Sequence, residues 1–323
     1  MDERYFIHPN DAKALDALKS LPAFPLLCKK FNEIFTERQY KVINLSSHLR
    51  LSEDQLPEIW SLLPPICEKL GIDVPELYLE QNPTVNAYTF GDTNPFICLH
   101  TGLINHCDVE VIKAVIAHEC GHIACHHTLY KSLANFFLGF GSSIINIPFL
   151  NFALKYALLY WDRCAEYSAD RAAAFACGGS SYVVDTMKML AGGNFKHTNE
   201  INSQEMLLQA NEFENFKDNS GWNKFLMYYA LIQTDHPFVV DRASDIVKWC
   251  DSDDYKNLCD GVPYGDSTDN SKNCPNCNSA VDSDAKFCMS CGAKIKHCTN
   301  CGSCLNIDDK FCGKCGYKFS EEE

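Results

Sequence analysis

The sequence predicts an α+β fold: a mainly helical domain with a small sheet, followed by a separate, small cysteine-rich module. Three observations carry that prediction. Apolar residues recur at helical spacing through most of the chain before Glu76 and after His100. Three short β-branched or aromatic stretches, bounded by Pro, Gly, Asn or Asp, lie together between those two residues. Nine of the 19 cysteines crowd between Cys274 and Cys315. With 323 residues, 46% of them hydrophobic, the chain has enough apolar material for one large core and an appendage.

Composition also excludes some classes of function. The net charge of -14, from 28 Lys+Arg against 42 Asp+Glu, argues against a polyanion partner, so nucleic acid is not expected. Met1-Asp-Glu-Arg opens the chain with charge and no apolar core of a secretory signal, so a cytoplasmic, possibly membrane-associated location is expected. The ten cysteines outside the tail are scattered, which fits reduced thiols in a reducing compartment.

Taken in order, Asn10-Asp11 is expected to cap a first helix, and a second is expected from Leu26 to about Gln39. Ser52 is expected to cap a helix over Glu53 to Leu63, which Pro64-Pro65 stops and Ile66 to Leu70 restarts. Strands are expected at Glu76 to Glu80, Thr84 to Phe90 and Phe96 to His100. Asp108 then caps a long apolar helix, with Glu110 in its first turn where the helix dipole favours an anion.

Ser132 to Leu154 carries no charge and is long enough to be weighed as a membrane span. Its three asparagines, three serines, two glycines and Pro148 favour two apolar helices with a break near Gly141 to Pro148. Peripheral membrane contact through residues 132–161 stays open. An alanine-rich helix is expected from Asp162 to Cys177, ended by Gly178-Gly179. Further helices fill 182–258, including the apolar Phe225 to Ile232. The domain is expected to span residues 1–260, with a linker over 261–273 and the tail over 274–323.

The chemistry centres on His118, Glu119 and His122, the pattern HExxH. Residues four apart on a helix share a face, so both imidazoles reach one zinc ion, while Glu119 is turned toward a water on that ion. A catalytic zinc needs a third ligand and an open position. A histidine six residues after His122 is one common solution, but Thr128 stands there, and Cys125 replaces the glycine that such a site wants. A glutamate on a later helix is the other solution. Glu166-Tyr-Ser-Ala-Asp170 offers Glu166 as ligand and Asp170, one turn on, to hold a ligand histidine's free N–H. His126 and His127 are expected merely to continue the helix.

Four motifs then occur in order: NAYTFG at Asn86 to Gly91, HECGH at His118 to His122, EYSAD at Glu166 to Asp170 and HPFVVDR at His236 to Arg242. Together they resemble the HtpX and CAAX prenyl endopeptidase family of zinc metallopeptidases, of the gluzincin type, over roughly residues 10 to 260. The resemblance implies a mainly helical protease domain with a three-ligand catalytic zinc and an edge strand beside the cleft. Peptides or proteins are the implied substrates. It implies Glu119 as general base and Asn86, Ala87 and Tyr88 as the strand that pairs with extended substrate. His236 is implied as donor to the oxyanion or as a latent fourth ligand; without the resemblance it reads as a loop cap.

In the tail, Cys274, Cys277, Cys288 and Cys291 are repeated at Cys298, Cys301, Cys312 and Cys315, each 24 residues on. Phe287 and Phe311 precede the third cysteine, and Gly292 and Gly316 follow the fourth, where a knuckle turn wants positive φ. The two segments, 274–292 and 298–316, resemble a double zinc ribbon with two structural zinc ions, and Cys304 is a spare thiol. Six lysines against seven acids make a protein the expected partner. Two functions follow: an intracellular zinc endopeptidase whose ribbons recruit a partner or substrate, or a catalytically silent adaptor acting through its ribbons. Retention of Glu119 beside both histidines and the downstream acid favours the enzyme.

Overall fold

A computed structural model describes residues 2–323 apart from 23, 26, 29–30, 32–36, 92, 141–147, 193–199, 219–238, 265–271, 278, 282–284, 299–302, 308, 310–317 and 319–323. The chain divides into two compact units, Met1–Tyr264 and Gly265–Glu323.

In the first unit, α1 (Pro9–Lys19) is capped by His8, whose side chain accepts from the Asn10 N–H. The cap therefore lies earlier than Asn10-Asp11, with Pro9 in the first turn where no donor is missed. Asp11 is left free to be buried inside. Helix α2 (Glu37–Ser47) follows; much of the helix expected from Leu26 lies outside the described residues. After β1 (Leu49–Arg50), no helix starts at Ser52. Ser52 and Gln55 instead exchange backbone hydrogen bonds in a tight turn, and α3 (Pro57–Trp60) begins only after Leu56 has adopted left-handed φ. Pro64-Pro65 does not stop a helix either, because α4 (Leu63–Leu70) takes both prolines into its first turn, where their missing N–H groups have no partner to lose.

The sheet comprises β1, β2 (Glu76–Glu80), β3 (Ala87–Phe90) and β4 (Phe96–His100) in the order β1-β2-β4-β3. Strands β2 and β4 are parallel with Glu80 opposite His100, and β3 runs antiparallel to β4 with Ala87 opposite Leu99. Side chains alternate between faces. Leu77, Ala87, Ile97 and Leu99 enter the main core, whereas Tyr78, Phe90, Phe96 and Cys98 form an outer cluster under Tyr40 of α2. Both faces of β4 are thus covered, and all five of its residues are buried.

Beyond α5 (Thr101–His106), Asp108 occupies the N-cap position of α6 (Val109–Ala124). That helix ends at Ala124, and His126 has φ 56°, so His127 does not continue it as expected. Helices α7 (Thr128–Phe140) and α8 (Pro148–Cys177) take in the two ends of the uncharged run, whose central residues 141–147 lie outside those described. No helix among the described residues is long and apolar enough to cross a membrane. The helix expected from Asp162 is the second half of α8. It ends as expected, with the Gly178 and Gly179 N–H groups both donating to the Ala174 carbonyl at positive φ. Helices α9 (Ser180–Gly192), α10 (Ser203–Asp218), α11 (Val239–Asp251) and α12 (Asp253–Cys259) complete the unit. Phe225 to Ile232 lies outside the described residues.

The packing that matters most joins α6 to α8. A Cβ on Gly121 would lie 2.8 Å from the Ala169 carbonyl oxygen and 2.9 Å from the Ala172 methyl, so only glycine fits at that crossing. Ala165, Ala169, Ala172 and Ala173 are fully buried. The alanine-rich stretch is therefore a device for close helix approach, and it brings Glu166 to the level of His118 and His122.

In the second unit, β5 (Lys272–Asn273) pairs with β6 (Ala280–Val281), and β7 (Ile295–His297) with β8 (Cys304–Asn306). Its described core is small: Val281 and Ile295 around Cys274 and Cys288, with Cys304 packed against it. Gly292 has φ 72°, as a knuckle turn requires.

Candidate metal centre and active site

Helix α6 presents His118 and His122 one turn apart, and α8 presents Glu166 and Asp170 one turn apart, so two i,i+4 pairs face each other across the glycine crossing. One Glu166 oxygen lies 3.3 Å from His118 Nε2 and the other 3.3 Å from His122 Nε2. Ligand atoms of the three residues all fall within 4.8 Å of one another, and the two-imidazole, one-carboxylate set fits zinc. Lys131 of α7 also reaches the cluster, its ammonium 2.8 Å from Glu166 Oε1 and 3.3 Å from His122 Nε2.

Both histidines are oriented from behind. His118 Nδ1 lies 2.9 Å from Asp170 Oδ1, which leaves Nε2 for the metal. Arg242 of α11 grips Asp170 through Nε at 2.7 Å and a second nitrogen at 2.8 Å, and reaches Glu166 Oε2 at 3.1 Å. His122 Nδ1 is 3.0 Å from His127 Nδ1, and His127 Nε2 is 2.9 Å from Asp11 Oδ2. The Ser168 hydroxyl and Trp161 indole donate to the same Asp11 carboxylate. An ionised Asp11 only accepts, so His127 donates to it through Nε2. A neutral His127 then accepts the His122 Nδ1–H, and His122 Nε2 is left bare toward Glu166.

Charges in the cluster sort accordingly. Burial opposes ionisation of Asp11, yet His127, Ser168 and Trp161 together hold its pKa below the ordinary value. Burial likewise disfavours a charged His118, but Asp170 and Glu166 outweigh it and push the imidazole up to about 9 in the metal-free protein. His122, buried and facing Lys131, is held well below the usual imidazole range. Against its own burial, Glu166 is held well below the carboxylate range by Lys131, Arg242 and His118.

Glu119 stands apart from the ligand cluster. It is buried, and Thr89 of the edge strand donates to its Oε2 at 2.7 Å. A cavity of about 300 Å³ lies over these groups. Asn86, Ala87 and Tyr88 line one side, and Val111, Val115, Val183, Met187 and Leu190 give an apolar wall. The Asn86 carbonyl accepts from His100 in β4, so across the same peptide the Ala87 N–H points out to the free edge, where the Asn86 side chain accepts it at 2.9 Å. His236 lies outside the described residues.

In the tail, Cys274, Cys277, Cys288 and Cys291 converge, with sulfurs 3.7 Å apart for Cys274–Cys291 and 3.5 Å for Cys277–Cys288. Four thiolates about 2.3 Å from one zinc would stand roughly 3.8 Å apart, so this set fits a closed structural site. Cys298 is buried, while Cys301, Cys312 and Cys315 lie outside the described residues.

Spacing made His118, Glu119, His122, Glu166, Asp170 and the tail cysteines visible in the sequence. Thr89, Lys131, His127 and Asp11 were missed as contributors to the centre. Thr89 carried a weak signal, since it sits inside NAYTFG on the same strand face as Ala87. Asp11 carried none, being more than a hundred residues from its partner His127.

Comparison with known proteins agrees with this geometry. Residues 58–250 match the model of peptidase family M48, and residues 274–316 match that of the double zinc ribbon. The chain is 32% identical over 268 residues to the plastoglobule-localized metallopeptidase 48, chloroplastic, of Arabidopsis thaliana, covering 80% of this chain and 76% of that one. It is 26% identical over 240 residues to a protease HtpX homolog of Helicobacter acinonychis (strain Sheeba), covering 64% and 71%. No solved structure matches. The first match takes in the edge strand, both ligand helices and Arg242, and with it the chain belongs to peptidase family M48, the zinc-dependent proteases, and carries a double zinc ribbon behind its protease domain.

Proposed function

We propose that the chain is an intracellular zinc endopeptidase in which Glu119 is the general base. The observation that supports this best is the separation of Glu119 from the metal ligands: Thr89 holds its carboxylate on the cleft side, beside the free edge of β3. His118, His122 and Glu166 would hold the zinc, which supplies Lewis acidity for the scissile carbonyl and lowers the pKa of the attacking water. Glu119 takes that water's proton on a carboxylate oxygen and passes it to the leaving amine nitrogen. Asp170 and the His127–Asp11 pair keep the ligand imidazoles in one tautomer. Extended substrate pairs with the edge of β3 once the Asn86 side chain releases the Ala87 N–H, and the valine and methionine wall favours an apolar side chain.

His236 is assigned either the oxyanion or a fourth ligand position. His236→Ala separates these, lowering kcat in the first case and raising activity in the second. For the tail we propose two structural zinc ions, bound by Cys274, Cys277, Cys288 and Cys291 and by Cys298, Cys301, Cys312 and Cys315, on a module that recruits a protein partner. The deciding experiment is proteolysis of an unstructured casein-like substrate by wild type and Glu119→Gln, with zinc measured in both. Equal cleavage by the two proteins would refute the assignment.

A further inference from the structure

The outer face of the sheet, opposite the face that meets the main core, carries a second convergence of ligating side chains. Because β2 and β4 are parallel and in register, Glu80 lies beside His100 and Tyr78 beside Cys98. Period-two alternation then puts Glu80, Cys98 and His100 on one face, joined by Tyr88 from β3. His48, just past the end of α2, closes over them. Its Nε2 is 3.8 Å from Glu80 Oε2, and its Nδ1 is 3.9 Å from Cys98 Sγ. Cys98 Sγ is 3.8 Å, and His100 Nε2 3.9 Å, from that same Glu80 oxygen. Ligand atoms of His48, Glu80 and Cys98 all lie within 4.8 Å of one another.

Such separations are too long for nitrogen–oxygen hydrogen bonds. They are close to the spacing of ligands that share an ion: at zinc–ligand distances of about 2.0–2.3 Å, a tetrahedral arrangement puts neighbouring donor atoms roughly 3.3–3.8 Å apart. Both imidazoles are also set up to present Nε2. Thr84 donates its hydroxyl hydrogen to Asn82 Oδ1 and so accepts from His100 Nδ1, 2.8 Å away. Asn44 Oδ1 accepts from His48 Nδ1 at 3.0 Å. Anchoring of the far ring nitrogen by an oxygen is what orients histidine ligands in metal sites. A plain carboxylate explains the Tyr88 hydroxyl at 3.1 Å and the Asn82 amide at 3.4 Å. It leaves unexplained why two imidazole Nε2 atoms, each with its far nitrogen already bonded, stand 3.8 and 3.9 Å from that one oxygen beside a thiol 3.8 Å away. Glu80 is partly exposed, which gives an ion a way in.

We propose that His48, Glu80 and Cys98 bind one zinc ion, distinct from those of the cleft and the tail, with His100 beside them on the same Glu80 oxygen. An imidazole, a carboxylate and a thiolate suit zinc better than calcium or magnesium, which take oxygen ligands. The ion ties the end of α2 to the sheet, and through the Tyr88 hydroxyl on Glu80 it steadies β3, whose other face meets the active-site cleft.

The test is a zinc count on full-length wild type, His48→Gln and Cys98→Ser, each dialysed against the same micromolar free zinc and analysed by elemental mass spectrometry. Both variants are expected to hold one equivalent less than wild type, whereas Glu119→Gln holds as much as wild type. Cys98 is fully buried and its replacement also perturbs the sheet, so His48→Gln, checked by circular dichroism, decides the matter. Should that variant misfold, Glu80→Gln takes its place. A folded His48 or Glu80 variant with undiminished zinc overturns the proposal, whatever Cys98→Ser does.

Discussion

The two units meet metal in opposite ways. In the protease unit the proposed ligands come from two separate helices, and the groups that orient them come from α1, the turn after α6, α8 and α11. A large core of apolar side chains around α6, α8 and the sheet surrounds that cluster. In the tail, the four ligands of the described cluster span Cys274 to Cys291, and two of them are half of the buried core. One unit builds a frame that receives a metal; in the other the metal replaces the frame. Below about 50 residues a chain lacks the apolar area to fold alone, and metal binding is then folding energy.

The largest expected effect is therefore a split response to chelation. Zinc removal should unfold residues 272–306 while α6 and α8 stay protected, as hydrogen exchange followed segment by segment would show. Simultaneous loss of protection in both units would mean that the protease frame also depends on its ion, and the contrast would fail.

Next come substitutions within the frame that spare it. Glu119→Gln should lower kcat by about 10²–10⁴, the usual contribution of a general base, with zinc retained. Glu166→Ala should instead lose the cleft zinc and leave the tail's content intact, which elemental analysis resolves.

The same contrast governs what was legible in the sequence. Every ligand of the described tail cluster was visible because its geometry is local: CxxC spacing closes a knuckle without help from elsewhere. In the protease unit the four helical positions 118, 122, 166 and 170 were readable because i,i+4 spacing fixes a face, and strands β2 and β4 were read with their observed ends. The failures are tertiary. Pro64-Pro65 resembles a stop signal until it is known to occupy a first turn. His127 looks like helix until the chain turns at His126 and buries it against Asp11, a partner that no spacing rule connects to it.

That missed pair supplies the third prediction. His118 is held by Asp170 directly and His122 by Asp11 through His127, so Asp170→Ala and His127→Leu should both weaken cleft zinc, by about 10- to 100-fold each, as loss of such support does elsewhere. Competition with a chelating dye measures this. The tail's affinity should not move. If only Asp170→Ala weakens binding, the relay is packing rather than orientation. Asp170→Ala also strips the buried Arg242 guanidinium of both bonds to Asp170 and leaves it Glu166 as its carboxylate partner, so its thermal stability should fall further than that of His127→Leu.

The smallest effect concerns Glu119, the proposed base. Thr89 Oγ1 lies 2.7 Å from Glu119 Oε2, and valine has nearly the same shape without the donor. Thr89→Val removes one hydrogen bond to a charged group, worth about 1.5–3 kcal/mol, but Glu119 lines the open cleft and water recovers part of that. What water does not restore is direction, because a freed carboxylate samples rotamers that point away from the attacking molecule. The expectation is a fall of about tenfold in kcat, corresponding to ~1.4 kcal/mol of transition-state stabilisation, with KM and zinc content unchanged. Steady-state kinetics on one peptide, with zinc assayed in the same samples, decides it. A rise in KM alone would assign Thr89 to the substrate strand rather than to the base, and a loss of zinc would show that the edge strand supports the metal frame as well.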